Sequence, residues 1–133
     1  MHPQFSRANK LSNQVIGAAI EVHREIGPGI LESIYVWCLV CELQLMRLPV
    51  ACEQMVSVRY KGYHREELLR FDVLVDGCLL IEAKSVETVL PIHKAQLLSY
   101  MKLLDMPVGL LINFNVSKLS DGISRLILRN ADR

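Results

Sequence analysis

Between Asn13 and Ile26 the apolar residues Val15, Ala19, Val22 and Ile26 recur every three or four positions, the spacing of one helical stripe. Ser12 can cap the start of that helix and Gly27-Pro28 stops it. Beyond Gly27-Pro28-Gly29 the same period returns in Ile34, Cys38, Cys41 and Leu45, and Pro49 ends it. From Met55 to Tyr60 the period drops to two, Val56 and Val58 alternating with Ser57 and Arg59, and Lys61-Gly62 supplies a turn. Two apolar runs, Leu68 to Val75 and Cys78 to Lys84, flank the hairpin signal Asp76-Gly77. Pro91 opens a third helix, Ile92 to Leu104, with Leu97, Leu98, Met101 and Leu104 on its apolar face. The branched run Val108 to Asn113 suits a central strand, and Ile123 to Leu128 a last one. The pattern predicts a single α/β domain over residues 1–133, in the order ααβββαββ, with a flexible lead-in over residues 1–10.

Composition narrows the function classes. Hydrophobic residues make up 51% of the chain and charged ones 22%, the balance of a folded protein. Fifteen Lys and Arg against fourteen Asp and Glu leave a formal charge of +1, so any polyanion partner must be met by a local patch. Met1 to Lys10 lacks the apolar core of a secretory signal, and no run reaches the roughly 20 apolar residues of a membrane span, which makes a cytoplasmic location the expectation. There, Cys38, Cys41, Cys52 and Cys78 are expected as reduced thiols that pack as small hydrophobes. The Cys38-Leu-Val-Cys41 spacing has no second cysteine pair to complete a zinc or cluster site.

The chemistry concentrates in the central hairpin. Asp72, Glu82 and Lys84 stand in the runs Phe-Asp-Val-Leu-Val and Leu-Ile-Glu-Ala-Lys, where unpaired charges are costly. Side chains alternate across a strand, so Glu82 and Lys84 share a face. A two-residue turn at Asp76-Gly77 would pair Asp72 with Ile81 and send the carboxylates to opposite faces. A three-residue turn, Val75-Asp76-Gly77, pairs Leu74 with Cys78 and Asp72 with Leu80, which gathers Asp72, Glu82 and Lys84 on one side and Phe71, Val73, Leu79, Ile81 and Ala83 on the other. That bulged turn is the expected one. Converging carboxylates suit Mg²⁺ or Mn²⁺, with Lys84 close enough to position or polarise an attacking water. An ion pair in which Lys84 merely neutralises Glu82 accounts for the same residues.

Other polar residues gather near these elements. His93, Gln96 and Tyr100 form a stripe on the third helix that faces either a site or solvent. Glu32 opens the second helix, where a carboxylate also serves the helix dipole; Tyr35 follows one turn later, and His23 lies on the first helix. Together, Gly29-Ile-Leu-Glu32-Ser-Ile-Tyr35, Phe71-Asp72, Glu82-Ala-Lys84 and Gln96-Leu-Leu-Ser-Tyr100 resemble the GxxExxY family of the PD-(D/E)XK nuclease-like superfamily, from about Gln14 to Leu128.

The resemblance implies a restriction-endonuclease-like core, with a mixed central sheet flanked by helices, and a metal-dependent nuclease. It makes Asp72 and Glu82 the metal ligands, with the Ala83 carbonyl as a third, and gives Lys84 the water. Glu32 would support the metal shell, Gln96 and Tyr100 would line the site, and His23 would correspond to a helix histidine that some of these domains use as a ligand. Phe71 stands where the motif has proline, and the cysteines do not match the spacing of iron–sulfur nucleases. The expected partner is nucleic acid, DNA ahead of RNA. The competing expectation is a non-catalytic binding module or homodimer that retains the fold, with Arg59, Lys61, His64, Arg65 and Arg70 as its basic patch.

Overall fold

The computed structural model describes residues 1–133. The elements run α1 (Phe5–Ile26), α2 (Glu32–Leu45), β1 (Val50–Tyr60), β2 (Tyr63–Val75), β3 (Leu79–Lys84), α3 (Pro91–Leu104), β4 (Val108–Asn113), a short 3-10 turn (Leu119–Gly122) and β5 (Ile123–Ile127). The strands form one five-stranded sheet in the order β1-β2-β3-β4-β5. Only β3 and β4 run parallel, joined by the α3 crossover; the other neighbours are antiparallel. This is the ααβββαββ order that the pattern predicts, with the mixed sheet of the restriction-endonuclease-like architecture that the resemblance implies.

Alternation sorts the sheet into two cores. Val73, Val75, Leu79, Ile81, Ala83, Val108, Leu110 and Ile112 pack against α1 and α2, while Leu74, Leu80 and Leu111 pack against Leu97, Met101 and Leu104 of α3. Helices therefore cover both faces, and every residue of β4 is buried, as a continuous apolar run requires. No helix is long and apolar enough to cross a membrane.

Four expectations need correction. First, α1 begins at Phe5 rather than near Asn13. Ala8 and Leu11 continue its buried stripe, and Ser12 is an interior residue whose hydroxyl donates to the Asn9 carbonyl. Phe5 to Lys10, expected as a flexible lead-in, are thus the first turns of the helix. Second, α2 buries Tyr35, Leu39 and Leu43, whereas Ile34 and Leu45 lie exposed and Cys38 and Cys41 half-buried. This helix is apolar nearly all round, so its periodicity offered more than one stripe.

Third, the β2–β3 turn comprises Asp76, Gly77 and Cys78, and Val75 pairs with Leu79. The register is two residues from the expected one. An even shift leaves every side chain on its face, so Asp72 and Glu82 still share a side. Asp76 and Gly77 both have positive φ, 49° and 65°. Fourth, Phe71 joins the α3 side rather than the layer of Val73. Pairing jumps from Ala51↔Leu74 to Glu53↔Arg70, so Phe71, Asp72 and Val73 together oppose Cys52 in a bulge, which breaks strict alternation.

Candidate active site

Asp72 sits in that bulge, a device that re-aims a side chain. Continuing the pair Val73↔Ile81 by one residue sets Asp72 opposite Glu82 on β3. The Ala83 amide donates to Asp72 Oδ2 at 2.8 Å, fixing the carboxylate against β3. In a strand a residue's N–H and C=O point to the same edge, so the Ala83 carbonyl faces this side as well. Lys84 Nζ lies 3.8 Å from Glu82 Oε1, and both side chains are mostly shielded from water.

A cleft of about 350 Å³ opens over the pair, lined by Arg70, Phe71, Asp72, Glu82, Gln96 and Tyr100. Helix α3 supplies the last two because it packs closely on β4. A Cβ on Gly109 would stand 2.6 Å from Met101 Sδ and 3.3 Å from Leu97, so a larger residue there would make these side chains give way.

Burial and the neighbouring Asp72 charge push the Glu82 carboxyl up to about 7, with Glu32 adding to the rise and Lys84 opposing it. Asp72 is also raised, first by burial and then by Glu32, against the Ala83 hydrogen bond and Lys84. Lys84 therefore offsets the burial and mutual repulsion of the two acids only in part.

The sequence profile of the PD-(D/E)XK nuclease superfamily matches residues 9–126. The chain belongs to this superfamily. No curated protein matches it in sequence. In fold it is similar to the crystal structure of SSO0001, with a TM-score of 0.53 at 20% identity over 95% of this chain. The chain spans 61% of that protein's length.

PD-(D/E)XK nucleases generally use divalent metals, and the donor chemistry here fits one. Burial and mutual repulsion raise both carboxyls and Lys84 offsets this only in part, so a hard divalent ion would relieve what remains. No third His, Cys, Asp or Glu side chain joins them. Mg²⁺ tolerates so sparse a set, since it keeps several waters and takes one or two carboxylates.

The remaining superfamily candidates divide. Glu32 is close enough for both acids to feel its charge, but its Oε1 accepts the Ser85 amide at 3.2 Å, bracing the start of α2 on the segment after β3. Tyr35 is buried: its hydroxyl donates to the Gly27 carbonyl and accepts the Ile30 amide, and its ring stacks on Phe114 at 4.4 Å. With Gly29 at φ 83°, it fixes the loop that presents Glu32. Tyr35→Phe leaves these backbone groups unpaired and is expected to cost about 1–3 kcal/mol, read from urea unfolding.

His23 is not brought to the pair; its Nε2 bonds the Val116 carbonyl at 2.7 Å. His93 leaves the stripe of Gln96 and Tyr100 to accept the Leu90 amide at the start of α3. Two residues escaped the sequence reading. Arg70, assigned there only to a basic patch, reaches the cleft, and its Nε lies 3.6 Å from Glu53. Buried Asn113 bonds both the amide and the carbonyl of Val86, tying down the segment just past Lys84; as the last residue of an apolar run it carried no signal.

Proposed function

We propose that this chain hydrolyses phosphodiester bonds of DNA, with RNA the lesser substrate, as a GxxExxY-type member of its superfamily. Supporting this is one arrangement: Asp72 and Glu82 confront each other across β2 and β3 in the wall of a cleft, with the Lys84 ammonium 3.8 Å from Glu82. Asp72, Glu82 and the Ala83 carbonyl would hold Mg²⁺ or Mn²⁺. When bound, that ion neutralises phosphate charge and lowers the pKa of a water.

The chain's own residues do the rest. Glu82 gives up its proton as the cation is taken, so affinity for the ion rises as pH passes upward through about 7. Lys84 donates a hydrogen bond to the attacking water or to the charge that grows on the phosphate oxygens. Arg70 meets a neighbouring phosphate, while Gln96 and Tyr100 offer hydrogen bonds to the strand in the cleft. Glu32 keeps the segment after Lys84 in place. The same reading puts the protein in the cytoplasm, where four free thiols persist.

The test is cleavage of end-labelled DNA and RNA, single- and double-stranded, in Mg²⁺, Mn²⁺ and EDTA. Cutting confined to the metal-containing reactions, with DNA preferred, is expected. A chain that folds and cuts none of these substrates ends the proposal.

A further inference from the structure

The β1–β2 hairpin continues past the core. Outward from Arg59 to Glu66 every residue is exposed. Directly paired residues share a face, and the pairs run Val56↔Glu67, Val58↔Arg65 and Tyr60↔Tyr63. The two tyrosines and Arg65 therefore lie on the side that carries Val56, which packs with α3, the helix that flanks the acid cleft. Tyr60 is 67% exposed and Tyr63 79%.

Folding gives this aromatic pair no evident task. The tight turn needs only the positive φ of Lys61 and Gly62, 47° and 85°, and the core ends before the tip. Residues 59–65 carry Arg59, Lys61, Arg65 and His64 and no acid, in a chain whose net charge is only +1. Lys61 Nζ lies 5.5 Å from the Tyr60 ring centroid. Glu67 at 2.7 Å from Arg65, and Glu66 beside His64, confine the positive stretch to the tip.

We propose that the hairpin tip holds an unpaired stretch of nucleic acid, bases stacked on Tyr60 and Tyr63 and phosphates on Lys61 and Arg65, and feeds it along the sheet to the cleft. The proposal rests on the nuclease reading above and specifies its substrate as one with a single-stranded segment. Aromatic platforms suit unpaired bases of any sequence, and cations beside them track the backbone. In duplex those base faces are stacked on one another. At about 3.3 Å per residue, Tyr63 lies about 30 Å along β2 from Asp72, so the bound strand must extend over several nucleotides to reach both.

Fluorescence anisotropy of a labelled oligothymidylate, with EDTA present to prevent cutting, tests the idea. The wild-type chain should bind the single strand more tightly than a duplex of equal length. Tyr60→Ala with Tyr63→Ala should weaken binding about 10- to 100-fold, and Tyr60→Phe with Tyr63→Phe should restore it, because stacking needs the ring alone. Equal binding by the alanine variant, equal affinity for strand and duplex, or failure of the phenylalanine pair overturns the proposal. So does a dimer in size-exclusion chromatography that the alanine pair dissociates while oligonucleotide affinity stays unchanged. Hydrolysis of bis(p-nitrophenyl) phosphate in Mn²⁺, a diester too small to reach the tip, reports the acid pair separately. Hydrolysis of it without tyrosine-dependent binding sinks the hairpin alone. Tyrosine-dependent binding with no hydrolysis of this diester and no cleavage of the DNA and RNA substrates supports the hairpin and sinks the nuclease.

Discussion

Lys84→Ala is expected to lower metal-dependent cleavage on the order of 10²- to 10³-fold, and Glu82→Ala to abolish it, with the fold intact in both. Lys84 is the only cation whose charge both acids register, and its ammonium lies 3.8 Å from Glu82. Its removal deletes a hydrogen-bond donor from the reacting phosphate but leaves the apolar layer of Val73, Ile81 and Ala83 untouched. The loss should fall on kcat more than on KM, since the interaction strengthens as charge develops. Lys84→Arg keeps the charge but offers a planar fork in place of a compact ammonium, so it should rescue little. A second readout separates this role from simple neutralisation. Without Lys84, Glu82 and Asp72 lose a neighbour that favours their charged forms, so the acid limb of the pH–rate profile should move to higher pH. Unchanged cleavage, or loss of activity matched by unfolding in circular dichroism, would return Lys84 to the rank of a structural partner of Glu82.

The common side of Asp72, Glu82 and Lys84 was legible in the sequence because strand periodicity is a parity. The Asp76-Gly77 turn sits two residues from its expected register, yet an even displacement cannot exchange the faces. Phe71 shows the limit of that logic. Its face depends on the bulge opposite Cys52, and a bulge belongs to two strands rather than to one. Arg70 escaped because its charge reads equally as part of the basic run that begins at Arg59, and only the fold shows it lining the cleft with Asp72. Helix α2 failed differently: Ile34-Tyr-Val-Trp-Cys-Leu-Val-Cys is apolar all round, and only the packing of Tyr35 on Phe114 selects its inner face. Ser12 misled because a hydroxyl before an apolar stripe is a capping signal wherever it falls, while Ala8 and Leu11 extend the stripe through polar neighbours.

Glu82→Gln should make the metal-free protein more stable at pH 8, by about 1–3 kcal/mol, while destroying its activity. In the folded chain the Glu82 carboxyl titrates at about 7, against an ordinary 4.5 that applies once the chain unfolds. Below 4.5 both states carry the proton and the group contributes nothing to the pH dependence. Between 4.5 and 7 the folded chain keeps a proton that the unfolded chain releases, so stability falls as pH rises through this window; above 7 the loss is complete. Glutamine resembles the protonated acid and removes the penalty at every pH, which predicts that the two melting curves meet near pH 4 and separate above it. Adding Mn²⁺ should reverse the order, because the wild type gains by binding the ion and the variant has lost one of its two carboxylates. Thermal melts of both proteins in EDTA and in Mn²⁺, from pH 4 to 8, decide the matter. A variant less stable than the wild type at pH 8 in EDTA would mean that the Lys84 pair outweighs the burial of the Glu82 carboxylate, so that its carboxyl is not raised and the pair is a structural tie between residues of β3.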